Sequence, residues 1–293
     1  MTEPELPIDE PSPLVPPPAP PPDGVTLLVP LVGSPSDPLP ALTAWADYLA
    51  TLGRPAELVV LDDGSRDRAA IDAWMGERQN VRILAASSFG ESLRVGLGAA
   101  MHPLVGYALL DYPYSSADFG ELLKRIELAE PESGLVLDLV SGCRAGRPTP
   151  IVARVTGTLW RGFWNLLLDL HIAKPPGWLG LRWGWLAFWS RMLFGLRLRD
   201  PASGLKLFRK KIFPRIPIQS AGPFAAIEIL AKANFLGCFM DELPVAGEAG
   251  STSPPLPRLG RIMPDFRKVF GHPDFGPPVL PTLPEAIAHA ESH

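Results

Sequence analysis

Cysteine is nearly missing from this chain, with two residues in 293, Cys143 and Cys238. So few exclude a disulfide framework, and a reducing, cytoplasmic setting is the simplest fit. The five histidines are scattered, and no Cys/His spacing resembles a zinc site. Long apolar runs are lacking too. "FWNLLL" and "WGWLAFWS" are broken by charge or proline before a window of ~18 residues is complete, so no transmembrane helix is expected. The N-terminus has neither the basic start nor the apolar core of a signal peptide. "GLGAAMHPLVG" lacks the G-x-G-x-x-G spacing after a strand, which argues against a dinucleotide-dependent oxidoreductase. The basic residues come with no recognised nucleic-acid module, so no nucleic-acid partner is expected.

Apolar residues, by contrast, are plentiful at 46%, enough for a sizeable core. Proline is abundant, and the acidic, proline-rich stretch "MTEPELPIDEPSPLVPPPAPPPDG" cannot build a packed core. Residues 1–23 therefore read as a disordered tail. The net charge of −4 hides an asymmetry: Arg144 to Arg215 holds 14 Lys/Arg against Asp169 and Asp200, a net of +12, which leaves −16 for the rest. Six of the eight tryptophans, Trp160, Trp164, Trp178, Trp183, Trp185 and Trp189, fall in the same block. Trp interleaved with Arg and Lys is the composition of a membrane interface, and 150–197 is expected to be an amphipathic, membrane-proximal helical insertion. An ordinary helix pair packed on the core is the other reading.

Along the first half, apolar strand-like runs alternate with helical patterns. "GVTLLVPLVG", "AELVVL", "VRILA", "LVGYALL" and "GLVLDLVSGCR" read as strands. "PLPALTAWADYLATLG", "AAIDAWMGERQ", "GESLRVGLGAAM" and "SADFGELLKRIELA" read as helices, the last with Ser116 as a possible N-cap. The alternation argues for an α/β fold with a mostly parallel sheet and crossover helices. "RDPASGLKLFRKKIF" then gives a turn and a strand, "PFAAIEILAKANFLG" a helix, and "CFMDELPVA" a closing strand. The domain is expected over 24–248, and 249–293 reads as an irregular tail. One stretch poses a chemical question. "LVVLDDGSRD" runs a buried strand into Asp62 and Asp63, two like charges side by side. Asp-Gly is a common turn, and a carboxylate at a strand's C-terminal end is equally a ligand site in an open α/β sheet.

The motifs fall in an order that resembles the family 2 glycosyltransferases, closest to the polyprenyl-phosphate (dolichyl-phosphate) mannose or glucose synthases. "VPLVGS" stands where that family has Pro-x-Tyr-Asn-Glu, and "LDDGSRD" where it has Asp-Asp-Gly-Ser. Gly90, Gly96 and Ala100 (or Ala99) match its Gly-rich helix. "ALLDYPYSSADF" stands for Asp-x-Asp, "SGCRAGR" for Gly-Ser-Arg, "RDPASGLKLFRK" for Asp-x-x-Ser-Gly, and "DELPV" for Glu-x-Pro. The resemblance covers about residues 24 to 248. It implies a Rossmann-like GT-A sheet carrying a nucleotide-diphospho-sugar, with Pro30, Val32, Asp62, Asp63 and Gly90 at the nucleotide. Asp111 matches the second Asp of Asp-x-Asp and would hold Mg²⁺ or Mn²⁺ on the diphosphate. Three polar positions differ: Leu109 replaces the first Asp, Val32-Gly33-Ser34 replaces Tyr-Asn-Glu, and Pro113 stands two residues after Asp111.

The reaction so implied is glycosyl transfer with inversion to a polyprenyl phosphate, at a membrane surface that a cytoplasmic, peripherally associated protein would touch. An anionic acceptor needs no strong general base; it needs cations that place it. Arg144 is the first choice, with Lys206 and Arg147 as further cations and Asp200 as a residue orienting Lys206 or contacting the sugar. Glu228 reads as structural. A soluble saccharide hydroxyl as acceptor would instead need a base, for which Asp200 is the candidate. A sugar-nucleotide-binding protein without transfer activity is the remaining alternative.

Overall fold

The computed structural model describes residues 24–32, 37–64, 68–76, 78–110, 112–128, 136–144, 189–246 and 259–277. The proline-rich tail 1–23 and most of the Trp-rich block lie outside them. Among the described residues seven strands form one sheet: β1 (Val25–Pro30), β2 (Ala56–Asp62), β3 (Val81–Ala85), β4 (Leu104–Ala108), β5 (Leu139–Arg144), β6 (Leu205–Arg209) and β7 (Met240–Val245). Their spatial order is β3-β2-β1-β4-β6-β5-β7. The helices are α1 (Leu39–Thr51), α2 (Arg68–Gly76), α3 (Phe89–Ala99), α4 (Ser116–Glu127), α5 (Ala225–Phe235) and α6 (Leu259–Gly271).

Continuous apolar runs became strands because both faces of the sheet are covered. β1 is buried at every position. Its alternate residues divide between two cores. Val25, Leu27 and Val29 meet Leu42, Trp45 and Leu49 of α1 and Phe119, Leu122 and Ile126 of α4. Leu28, with Val59 and Leu61 of β2, faces Leu93 of α3 and Ile227 and Leu230 of α5. Gly96 lets α3 press onto the sheet, since a Cβ there would lie 2.8 Å from a Leu28 methyl.

The sheet is mostly parallel, as expected: β1, β2, β3 and β4 pair parallel, as do β5 and β7, while β6 pairs antiparallel with both β4 and β5. The N-cap of α4 is Ser115 rather than Ser116. Ser115 accepts the Asp118 N–H at 3.1 Å while Asp118 accepts the Ser115 N–H at 3.1 Å, a capping box that only a residue three before Asp118 can close. The irregular tail expected from residue 249 contains α6. Its apolar side carries Ile262, Phe266 and Val269 into the α3/α5 core. Pro264 inside the helix masked the helical spacing. The insertion expected over 150–197 is described only from residue 189: 189–194 is helical and 195–197 has no regular secondary structure.

Candidate active site

β1 leads leftward to β2 and β3, and the chain then returns to place β4 on the right of β1. Such a reversal opens a crevice outside the C-terminal strand ends. Four of the expected residues meet there. Pro30 ends β1 opposite Leu61, and Leu31 donates its N–H to the Leu61 carbonyl at 2.9 Å. Val32, half-buried, follows; Asp62 and Asp63 finish β2 beside it. Asp111, expected after β4, lies outside the described residues. The residues before it are placed: Leu109 donates to the Gly204 carbonyl at 2.9 Å.

Asp62 shapes the turn that follows its strand. Its Oδ1 accepts the Gly64 N–H at 3.0 Å, and Gly64 takes φ +74°, which a side chain resists. Asp62 is 5% exposed, whereas Asp63 is half-buried. The Gly90 expectation is overturned. A Cβ on Gly90 would meet the Ser220 carbonyl oxygen at 1.9 Å, and its N–H donates to the Ala221 carbonyl at 2.8 Å. Gly90 is glycine to admit the 220–221 backbone, which takes the side on which its Cβ would stand.

A second cluster lies to the right of β4. Because β6 runs antiparallel, its N-terminal residues arrive where β4 and β5 end. Arg144 and Asp200 form a buried pair there, with Nε to Oδ2 at 2.7 Å and Nη2 to Oδ1 at 2.8 Å; Arg144 is 1% and Asp200 1% exposed. Asp200 also accepts the Arg144 backbone N–H at 3.3 Å. Two expectations therefore fail. Arg144 is not a free cation for a phosphate, because Asp200 neutralises it. Asp200 is neither a general base nor the partner of Lys206, because both its oxygens hold Arg144. Lys206 is fully buried, donates to the Ser203 carbonyl and lies 5.5 Å from the centre of the Tyr107 ring.

Three residues here were not anticipated. Tyr112 and Tyr114 follow Asp111 directly. The Tyr112 hydroxyl donates to the Ala246 carbonyl at 3.1 Å, and the Tyr114 hydroxyl accepts the Gly204 N–H at 2.7 Å. Their rings, 4.7 Å apart, wall the strand end, and the Arg144 guanidinium sits 6.0 Å from the Tyr112 ring. Glu242, in the Glu-x-Pro stretch, accepts the N–H groups of Arg199 at 2.8 Å and Asp200 at 2.7 Å. The Tyr-Pro-Tyr stretch was the available signal for the first two.

Burial pushes the Glu242 carboxyl above the usual carboxylate range, and the N–H groups of Asp200 and Arg199 pull against it. The folded chain thus holds this proton more tightly than the unfolded one. Its stabilisation is full below pH 4.5 and is lost as pH rises through the raised value. Urea midpoints followed from below pH 4.5 to neutrality should fall less steeply in Glu242→Gln than in wild type; equal slopes would remove Glu242 as the titrating group.

Cys143 and Cys238 are free. Cys143 stands opposite Pro244, whereas Cys238 precedes Met240, the partner of Leu139, so they lie at different levels of the sheet. Burial pushes both thiols upward, against a nucleophilic role. Among the described residues no three His, Cys, Asp or Glu side chains gather as a metal cluster, and no helix is long and apolar enough to cross a membrane.

No protein-family model matches the chain, and no curated protein does. Solved structures do. Glucosyl-3-phosphoglycerate synthase from Mycobacterium tuberculosis with Mn²⁺, uridine-diphosphate-glucose and phosphoglyceric acid matches at TM-score 0.55 and 18% identity, over 89% of this chain and 84% of that one. The complex with Mn²⁺, uridine diphosphate and phosphoglyceric acid matches at 0.54 and 19%, over 90% and 84%. The complex with Mg²⁺ and uridine diphosphate matches at 0.53 and 17%, over 89% and 84%. With the strand order above, this likeness establishes the fold as the GT-A type, a mostly parallel Rossmann-like sheet with flanking helices.

Proposed function

We propose that the protein is a glycosyltransferase that moves a sugar from a nucleoside-diphosphate sugar to a small phosphorylated acceptor. The observation that carries this reading is the crevice at the β1/β4 reversal. Pro30, Val32, Asp62 and Asp63 converge there in a fold shared with synthases whose structures hold uridine-diphosphate-glucose and phosphoglyceric acid. Asp63 would accept hydrogen bonds from the base or ribose, while Asp62 shapes the turn that presents it. The donors at these strand ends are carboxylate oxygens, which suit a hard divalent cation. Asp111 would hold Mg²⁺ or Mn²⁺ together with the donor's phosphate oxygens. When bound, the ion would neutralise charge on the leaving diphosphate. Tyr112, Tyr114, Ser203 and Lys206 would close the acceptor side, with the Arg144–Asp200 pair bracing it from behind.

A polyprenyl phosphate at the cytoplasmic face of a membrane is the second reading. Apolar surface favours it: Trp189 is 38%, Met192 46% and Phe270 55% exposed, and Phe270 packs on Phe194, on the same helical segment as Trp189 and Met192. The resemblance to polyprenyl-phosphate synthases belongs to this reading, with the domain over 24–248 and the insertion over 150–197 near the membrane.

The test is transfer of label from UDP- and GDP-sugars to 3-phosphoglycerate and, separately, to polyprenyl phosphate in detergent, with Mg²⁺, Mn²⁺ or a chelator. Label is expected in the aqueous phosphorylated product, reduced at least ~10²-fold by the chelator or by Asp111→Ala, the scale of losing one strong electrostatic contact to developing charge. Label in the organic phase would select the second reading. Nucleotide binding with no transfer to either acceptor would leave a binding protein.

A further inference from the structure

With Arg144 neutralised, guanidinium groups without an ion pair among the described residues lie elsewhere. The 195–200 segment leaves the 189–194 helix at Gly195, which takes φ +68° and donates to the Arg191 carbonyl at 2.8 Å. From there exposure alternates residue by residue. Leu196, Leu198 and Asp200 turn into the core, and Arg197 and Arg199 turn out. Both ends of the segment are fixed: Asn234 donates to the Phe194 carbonyl at 2.9 Å, and Glu242 takes the N–H groups of Arg199 and Asp200. The two arginines thus stand on one side of an extended segment, roughly 7 Å apart at the backbone. They line a groove of about 540 Å³ between this segment and β7, within the size range of small-ligand sites.

Two carboxylates line the same groove, and both have other partners. Asp241 is held by Arg125 at 2.5 Å, and Glu242 is capped by its two N–H donors. Among the described residues neither Arg197 nor Arg199 has an ion pair. Arg191 stands close enough to Arg197 that, after burial, the Arg197 charge is what lowers its proton affinity. Two arginines side by side, with the Asp241 and Glu242 carboxylates on the same wall already engaged, can share an anion between them, and paired guanidinium forks match phosphate oxygens. Leu198, Phe239 and Met240 supply apolar wall beside them.

We infer that the groove between residues 195–199 and β7 binds a phosphomonoester through Arg197 and Arg199. It is distinct from the β1/β4 crevice, because β7 is four strands from β1, roughly 19 Å across the sheet. The site is thus separate from the nucleotide end of the crevice, and its test contains no nucleotide sugar.

Calorimetric titration with inorganic phosphate and with 3-phosphoglycerate forms one arm. Co-sedimentation with phosphatidylcholine vesicles, with and without phosphatidic acid, forms the other. Wild type is compared with the double variant Arg197→Gln/Arg199→Gln and with Lys124→Gln, an exposed cation on α4. Binding is expected in at least one arm, weakened about tenfold or more in the double variant and unchanged in Lys124→Gln. The positive arm identifies a soluble or a lipid-borne phosphate. No binding by wild type in either arm, or equal binding by the double variant, would overturn the inference. An equal loss in Lys124→Gln would do the same, by reducing the effect to net charge.

Discussion

Asp200→Ala is expected to remove about 3–5 kcal/mol of unfolding free energy, because the Arg144 guanidinium stays buried without its counter-charge. The pair is 1% and 0% exposed at its side chains. The damage should spread along the loop, since Asp200 N–H donates to Glu242 and Ser203 N–H to the Asp200 carbonyl at 3.0 Å. Arg144→Met combined with Asp200→Leu should recover most of the loss, because a buried pair is worth little against apolar replacements of similar volume. Urea unfolding of the two variants and wild type checks both statements. A loss below about 1 kcal/mol for Asp200→Ala, the scale of a solvent-exposed pair, would contradict the burial described here.

Glu228→Ala should cost a similar amount, about 3–5 kcal/mol, for a related reason. Glu228 and Lys232, one turn apart on α5 and 1% or less exposed, approach to 2.7 Å. The carboxylate also accepts the N–H groups of Gln219 and Ser220, each at 2.8 Å, and Lys232 donates to the Pro217 carbonyl at 2.5 Å and to Gln219 Oε1 at 3.0 Å. This pair ties down the 217–221 loop, and that loop bears on Gly90 at the start of α3. Hydrogen exchange should therefore speed up at Gly90 as well as at Gln219 and Ser220. Protection at Gly90 identical to wild type would uncouple the loop from α3.

Much of the fold was legible because its signals are local. Val25–Pro30 and Leu58–Leu61 are continuous apolar runs, and the helices between them carry apolar residues at helical spacing. What failed depends on distant partners. Nothing within Leu205–Arg209 says that β6 runs antiparallel; its direction follows from the chain that delivers it. Gly90 was read as a ligand contact because its actual neighbour, Ser220, is far along the sequence. Arg144 and Asp200 were each assigned chemistry separately, and only folding across 56 residues shows that they satisfy one another. Asp62 had both readings open, and the structure shows the turn through its hydrogen bond to Gly64. α6 was hidden by a proline, although Ile262, Phe266 and Val269 already carried its period.

The antiparallel placement of β6 also sets an order of assembly. Among the described residues β5 pairs with β6 and β7, both made later in the chain. A nascent chain emerging from the ribosome can therefore zip β1, β2, β3 and β4 together early, while β5 waits for residues 205–209 before it has any neighbour in the sheet. Until then β4 presents an open edge, and Arg144 is a solvated cation with its partner unsynthesised. The β1–β4 half of the sheet is thus expected to form before the β5–β7 half, which needs the later part of the chain.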